Sequence, residues 1–441
     1  MLKFVIALLS VVVSLEIGTQ QSEQHPALTW QKEGSSASGS IVLDSNWRWV
    51  HDSGTTNCYD GNLWSSDLCP SSDTCTQKCY IEGADYSGTY GISTSGSKLT
   101  LKFVTKGSYS TNIGSRVYLL KDENTYETFK LKNKEFTFTV DDSKLDCGLN
   151  GALYFVAMDA DGGKAKYSSF KPGAKYGMGY CDAQCPHDMK FISGKANVED
   201  WKPQDNDENS GNGKLGTCCS EMDIWEGNAK AQAYTVHACT KSGQYECTGN
   251  DCGDTDSGNR YKGTCDKDGC DYASYRWGDH SFYGEGKTVD TKQPVTVVTQ
   301  FIGDPLTEIR RLYVQGGKVI NNSKTTNLAS SYDSITDAFC DATKAASGDN
   351  NDFKTKGSLA GFSQRLDAPQ VLVLSLWDDH TANMLWLDST YPTNSNESTA
   401  QRGPCATSSG VPKDVESQHG DATVVFSDIK FGPINSTFKF N

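Results

Sequence analysis

After residue 15 the chain has no apolar run long enough to cross a bilayer as a helix, which excludes a helical integral membrane protein. Helical periodicity is scarce, which argues against a helix bundle. No internal repeat, no Pro/Ser/Thr-rich linker and no appended module can be found, so solenoids and tandem arrays are excluded. Positive charge is also short: 41 Lys and Arg stand against 55 Asp and Glu, a formal net charge of -14. A surface so acidic repels phosphate polymers and excludes nucleic acid as the partner, but it is indifferent to a neutral polymer.

What is present begins with an export signal. Lys3 precedes an apolar run from Phe4 to Leu15 and a short polar exit, so residues 1–19 read as a signal peptide with cleavage near Thr19 or Gln20. The remainder, 20–441, reads as a single secreted, extracellular domain without membrane attachment, long enough for a large core. All 16 cysteines follow the signal, an even number, which in an exported chain implies up to eight disulfides. Cys181-x-x-x-Cys185 with the vicinal pair Cys218-Cys219 has the ligand count of a four-thiolate zinc site, which the exported context disfavours. Two bridges between these segments would instead clamp the loop before residue 221.

Alternating or apolar runs rich in Val, Phe, Tyr and Thr recur at 99–104, 116–120, 135–140, 152–158, 295–302, 311–315, 371–376, 384–387 and 423–431. Gly/Asn/Asp/Ser stretches separate them, and glycine totals 42. The fold class is therefore all-β: two large antiparallel sheets packed as a sandwich or jelly roll. Short helices are expected over Tyr332–Lys344 and Ser358–Leu366. Segments 159–217 and 239–290 read as ordered, cross-linked loops, where function concentrates.

The densest chemistry is Glu221-Met-Asp-Ile-Trp-Glu226. Glu221 and Asp223 share a face of an extended strand. Glu226 lies at an odd offset, so only a β-bulge returns it to that face. Two Glu side chains leaning together across such a strand bring their carboxyls to about 5–6 Å, the separation of a retaining glycosidase pair. A solvated acidic strand face is the plain alternative, but Trp225 and the flanking cysteines favour a built site.

The sequence closely resembles a family 7 glycoside hydrolase, specifically a cellobiohydrolase. The resemblance rests on Asn46-Trp-Arg-Trp49, Cys147-Gly-Leu-Asn-Gly-Ala-Leu-Tyr-Phe155, Met158-Asp-Ala-Asp-Gly-Gly163, Gly179-Tyr-Cys-Asp182, Cys218-Cys-Ser-Glu-Met-Asp-Ile-Trp-Glu226, Ser375-Leu-Trp-Asp-Asp379 and Asn383-Met-Leu-Trp-Leu-Asp-Ser-Thr-Tyr-Pro392. It covers nearly the whole chain after the signal. It implies a jelly roll of curved sheets whose disulfide-stapled loops, here 194–217, 249–263 and 341–369, roof a cellulose tunnel. By matched positions, Glu221 is the expected nucleophile and Glu226 the acid/base, with Asp223 tuning Glu221 and His237 near the cleavage point. The implied reaction releases mainly cellobiose from cellulose chain ends, with reducing ends the expected ones. The implied partners are cellulose and cello-oligosaccharides; the enzyme is expected to be a monomer without cofactor or metal.

Trp47, Trp49, Trp377 and Trp386 match sugar platforms, since pyranose C–H faces pack on aromatic planes. Asn46–Trp49 is read as one strand face carrying two of them. Asn150, Tyr154 and Gln184 match further substrate contacts. Arg260, Asp268, Asp271, Arg276, Tyr391 and Arg402 match the polar product side. Asp266-x-Asp268-Gly269 superficially resembles a calcium loop, but cysteines interrupt it and its terminal Glu is missing. The implied bridges are Cys58–Cys79, Cys69–Cys75, Cys147–Cys405, Cys181–Cys219, Cys185–Cys218, Cys239–Cys265, Cys247–Cys252 and Cys270–Cys340.

Asn321, Asn396 and Asn435 begin N-glycosylation sequons. Two N-terminal bridges of fungal relatives are missing, Tyr80 standing where one cysteine would be, so a looser N-terminus is expected. A catalytic domain without a linker or carbohydrate-binding module is expected. Aromatics that meet across the roof in many relatives are replaced by His380, Thr381 and Asp256. A His380–Asp256 ion pair across the roof, and a roof that opens more readily, follow as expectations. An open-cleft endoglucanase of the same family and a non-catalytic glucan-binding lectin are the alternatives.

Overall fold

The computed structural model describes residues 14–108, 110–167, 171–254 and 259–439. Fifteen of the described strands suffice to define the body's two layers. They are β1 (Ala27–Lys32), β2 (Ser35–Leu43), β3 (Ile92–Ser95), β4 (Lys98–Lys102), β5 (Ser115–Asp122), β6 (Lys134–Asp141), β7 (Leu149–Val156), β8 (Glu221–Gly227), β9 (Gln232–His237), β10 (Cys270–Tyr272), β11 (Val295–Gly303), β12 (Leu306–Gln315), β13 (Lys318–Asn321), β14 (Gln370–Asp378) and β15 (Thr423–Pro433).

Pairing sorts them into two antiparallel layers. One runs β2–β5–β14–β7–β8–β9–β10. The other runs β3–β4–β15–β6–β11–β12–β13. Strand β1 pairs with β2 and also, in parallel, with β15, so it stitches the layers at one edge. This is the expected sandwich, and its architecture follows from alternation: Leu153, Phe155, Met222 and Trp225 face the other layer while Ala152, Tyr154, Glu221 and Asp223 face away from it. The buried interior is aromatic. Phe129 meets Phe136, Phe155 and Phe431 with ring centroids 5.1–5.8 Å apart.

Helices are few. Ser72–Lys78 (α1) is capped by the Ser71 hydroxyl, and Asp337–Ser347 (α2) by Thr336. Ser358–Arg365 (α3) and Pro412–Gln418 (α4) follow, the last opening on a proline in its first turn. Helix α2 starts five residues later than expected from Tyr332, because Thr336 supplies the cap. No described helix is long and apolar enough to cross a membrane.

Three expectations are corrected. Met384–Leu387 is not a strand: Met384 ends a turn and Leu385–Asp388 is a short helix. The Asp379 carboxylate accepts from the Thr381 and Ala382 amides and from Trp386 Nε1, and it curls the chain locally. Asn46–Trp49 is not one strand face either. Ser45–Trp47 forms a 3₁₀ turn capped by Asp44, and Arg48 points inward to Glu23 at 2.6 and 3.0 Å.

The third concerns the looseness expected of the N-terminal region, whatever the cleavage point. Residues 1–13 of the expected signal peptide lie outside the described residues, but its last residues are part of the body. Leu15 is fully buried, and Glu16–Ile17 pairs in parallel with Tyr80–Ile81. The Gln20 and Gln21 amides donate to the Glu82 carboxylate, both at 2.9 Å. Glu23, beside His25 and Arg48, has its carboxyl drawn down to about 2 against the opposing effect of burial. Charge-assisted hydrogen bonds therefore hold a segment that was expected to be loose.

Eight disulfides join Cys58–Cys79, Cys69–Cys75, Cys147–Cys405, Cys181–Cys219, Cys185–Cys218, Cys239–Cys265, Cys247–Cys252 and Cys270–Cys340, and no described cysteine is free. The four sulfurs weighed as zinc ligands are consumed in two of them.

Candidate active site

Strand β8 carries the bulge that the odd Glu221–Glu226 offset requires. Against β7, Leu153 pairs with Trp225 and Tyr154 with Asp223, leaving Ile224 as the extra residue. Against β9, Asp223 faces Thr235 and Glu226 faces Ala233, so two residues oppose Tyr234 alone. Beyond the bulge Glu226 returns to the face of Glu221 and Asp223, opposite Ala152. Met222, Ile224 and Trp225 remain in the core.

Each carboxylate has its own partner. Glu221 Oε2 accepts from the Ala183 amide at 2.9 Å. Ala183 lies between Cys181 and Cys185, which are bridged to Cys219 and Cys218 just before Glu221, so two disulfides fix the donor against its acceptor. Asp223 Oδ2 lies 3.0 Å from His237 Nε2. His237 Nδ1 bonds the Asp266 carbonyl at 2.8 Å, which orients the ring. Glu226 Oε1 accepts from Asn150 Nδ2 at 3.1 Å, and Asn150 Oδ1 accepts from the Gly227 amide at 3.0 Å.

Burial is the main force on all three acids. It pushes Glu226 up to about 7; His237 and the Asn150 hydrogen bond pull it down, and Asp271 adds upward pressure. Burial, then Asp223 and Asp182, push Glu221 well above the carboxylate range, and burial with Glu226 does the same to Asp223. Three charges crowded on one face cannot all persist near neutral pH, so the trio retains protons there.

The remaining candidates gather around this face. Tyr154 bonds Tyr180 hydroxyl to hydroxyl at 2.9 Å, and Tyr180 donates to Asp182 at 2.7 Å. The Arg116 guanidinium lies over Tyr180 at 3.4 Å and over Trp47 at 5.3 Å, linking Trp47 to the site. Trp49 stands elsewhere, stacked on His51 at 4.0 Å and donating to Asn57. Trp377 sits opposite Asn150 and stacks with Trp386 at 6.2 Å. Gln184 is exposed and donates to the Lys267 carbonyl.

On the β10 side, Asp271 pairs with Thr235 and accepts from Arg276 at 2.6 Å, with Arg402 3.8 Å away. Burial opposes the Asp271 charge, but Arg276 and Arg402 hold its carboxyl down at about 2. Arg260 binds Asp268 through two nitrogens at 2.6 and 2.9 Å. Tyr391 is among the exposed large side chains.

Several contributors escaped the sequence reading. Asp182, inside a recognised motif, carries no role there, yet it presses on Glu221. Asp266, weighed only as a calcium ligand, instead accepts from the Gly269 amide through Oδ1 and from His237 through its carbonyl. Gly269 has φ 67°, and a Cβ there would lie 2.7 Å from the His237 ring, so only glycine lets the loop pass. Asp256 of the expected His380–Asp256 pair lies outside the described residues; His380 bonds the Asn206 carbonyl of the 194–217 loop. Asn321, Asn396 and Asn435 are exposed, although Asn435 Oδ1 is taken by Gln300.

Comparison with known proteins agrees with this architecture. The family model described as glycosyl hydrolase family 7 matches residues 17–438. The chain is 58% identical to the exoglucanase GH7B of Limnoria quadripunctata, over 98% of each chain. Among solved structures, a GH7 family cellobiohydrolase from Daphnia pulex superposes with TM-score 0.94 at 54% identity, covering 96% of this chain and all of that one. A cellobiohydrolase from Melanocarpus albomyces complexed with cellotetraose superposes with TM-score 0.92 at 47% identity, with the same coverage.

Proposed function

This chain belongs to glycosyl hydrolase family 7, and on that premise we propose how its residues divide the hydrolysis of cellulose. The enzyme is a cellobiohydrolase that cuts β-1,4-glucosidic bonds with retention and releases mainly cellobiose from chain ends. The open-cleft endoglucanase reading is not favoured, given the exoglucanase and cellobiohydrolase relatives.

Glu221 is the nucleophile in our reading. Its carboxylate attacks the anomeric carbon while Glu226 gives its proton to the glycosidic oxygen; cellobiose leaves as the alcohol and the shortened chain stays esterified to Glu221. Glu226, now ionised, takes a proton from water. The resulting hydroxide displaces Glu221 at the same carbon, and both carboxyls return to their starting state. Asp223 and His237 act on Glu221 from the side by holding the local proton and charge balance. Trp377 and Trp386 serve as a sugar platform beside the acids, with Trp47 and Trp49 further along the chain path. Asn150, Tyr154 and Gln184 contact sugar near the cleavage point. Asp271, Arg276 and Arg402, with Arg260, Asp268 and Tyr391, receive the leaving cellobiose. We further propose that the protein is exported and monomeric, with no metal or cofactor in the reaction, and that Asn321 and Asn396 are the sequons most open to glycosylation.

The observation that carries this reading is the bulge at Ile224, because without it Glu226 would face the core. Its test compares Glu226→Ala on amorphous cellulose and on an aryl cellobioside with a good leaving group. Glycosylation, which needs the acid, should fall far more on cellulose; equal losses would remove Glu226 from the acid/base role.

A further inference from the structure

The loop 194–217 is tied down on one side and clasped on the other. Trp201 Nε1 donates to the Asn62 carbonyl at 2.9 Å, Asn62 Nδ2 to the Asp207 carbonyl at 2.9 Å, and the Tyr59 hydroxyl to the Asn209 carbonyl at 3.3 Å. The loop then feeds through Gly216–Cys218 into β8 at its Glu221 end. His380 follows β14 at the opposite end, where Asp378 pairs with Leu149 and Gly151 with Gly227. Yet the two meet: His380 Nδ1 bonds the Asn206 carbonyl at 2.6 Å, and Asn206 Nδ2 donates back to the His380 carbonyl. One face of this sheet is filled by the core, so a contact between opposite strand ends must pass over the other face, the one bearing the carboxylates. The passage beneath it runs across the strands.

We propose that His380 is an imidazolium clasp that closes this strap over the carboxylate face, and that its protonation decides whether a cellulose chain is threaded from its end or admitted from the side. The inference rests on the cellulose-hydrolase reading above. The charges that act most strongly on the ring are acidic. Glu416 of α4 lies 3.5 Å from Nε2 and Asp378 of β14 lies 3.9 Å away, while Asp207 approaches from the strap and Glu208 stands beside Glu416. Burial works against the imidazolium, but the Asn206 carbonyl, Asp207, Asp378 and Glu416 outweigh it and keep the ring protonated to higher pH than usual. Burial likewise raises Asp378 to about 6. Once the ring is neutral these acids repel one another with no cation between them, and the strap's outer hold weakens. The motion required is that of a short tethered segment over a fixed site. His380 contacts neither Glu221 nor Glu226 in this arrangement, so its effect falls on substrate access rather than on bond cleavage.

The test uses amorphous cellulose at pH 5 and pH 8, scoring the fraction of new reducing ends that stay in the insoluble polymer, which marks internal cuts. 4-Nitrophenyl cellobioside, too small to need threading, is assayed in parallel. The expected result for the wild type is a rise of about threefold or more in the internal fraction from pH 5 to pH 8. His380→Gln should show the high fraction at both pH values while hydrolysing the aryl cellobioside as the wild type does. Glu416→Gln should move the transition to lower pH. An internal fraction that does not change with pH in the wild type, or that changes identically in His380→Gln, overturns the clasp. Absence of hydrolysis of both substrates by the wild type would instead overturn the enzymatic reading beneath it.

Discussion

Arg311 of β12 reaches across the sandwich and donates through Nη2 to the carbonyl of Ile224, the residue that the bulge in β8 adds. Arg311 is fully buried, donates through Nε to Thr299 at 3.1 Å and lies 4.0 Å over the Tyr234 ring. A cation in the core is costly unless its donors are used. Here one donor satisfies the carbonyl that the bulge withdraws from the ladder, so the opposite sheet supports the geometry that returns Glu226 to the site.

Arg311→Met should therefore injure catalysis as well as stability. The orphaned Ile224 carbonyl alone costs about 1–3 kcal/mol. If the bulge relaxes, Glu226 shifts relative to Glu221, and kcat on a soluble cello-oligosaccharide, whose leaving group needs the acid, should fall at least about tenfold with little change in KM. Thermal melts and steady-state kinetics on the same preparation check this; a variant that is merely less stable, with kcat intact at low temperature, would mean the bulge does not need Arg311.

The alkaline limb of the pH profile can be moved in a chosen direction. Glu226 titrates at about 7, held down in part by the Asn150 amide. As the proposed acid it must be protonated, so kcat/KM should fall as pH rises through that region. Asn150→Ala removes a donor that favours the charged form, so the falling limb should move to higher pH while the maximum rate drops. A limb that stays put, or moves to lower pH, would argue that another group controls it.

Stability should carry a separate signature from Asp142. This carboxyl is buried, accepts from the Tyr283 hydroxyl at 2.5 Å, and is pushed by burial up to about 7. Its folded pKa lies above its unfolded value of about 4, so the fold holds the extra proton. That stabilisation is complete below about pH 4 and is lost as pH rises towards 7, on the order of 4 kcal/mol for one group. Asp142→Asn keeps an acceptor for Tyr283 and has no proton to lose. The decline in melting temperature between pH 4 and pH 7 should flatten in this variant, and an unchanged slope would contradict the assignment.

The packing of Leu15 and the Glu16–Ile17 strand predicts that the exported protein keeps residues 14–19. N-terminal sequencing of secreted material should begin at or before Ser14. A start at Gln20 would restore the boundary read from the sequence, and removing that strand should then leave melting temperature unaltered.

Much of the site could be read in advance because its rules are local. The offset of Glu221 from Glu226 demands a bulge, and alternation places Asp223 beside Glu221; Trp225, read as support for an aromatic-lined site, is instead turned into the core by that bulge. Runs such as 295–302 and 371–376 mark strands that need no distant partner to be recognised. What escaped depends on contacts between remote segments. Arg311 looks like an ordinary strand arginine until the two layers are stacked. His380 and Asn206 lie 174 residues apart. Asn46–Trp49 alternates like a strand, yet Asp44 caps it into a turn and Glu23 draws Arg48 inward. Met384–Leu387 is apolar enough for a strand, but the Asp379 side chain competes for its amides and wins.

The division of labour between Glu221 and Glu226 is tested most directly by trapping the covalent intermediate. An aryl 2-deoxy-2-fluoro-β-cellobioside with a good leaving group should inactivate the enzyme, since the fluorine slows the second displacement more than an activated first one. Peptide mass spectrometry should then find one fluorocellobiosyl ester, on Glu221. An ester on Asp223 or Glu226, or inactivation without any ester, would contradict the account.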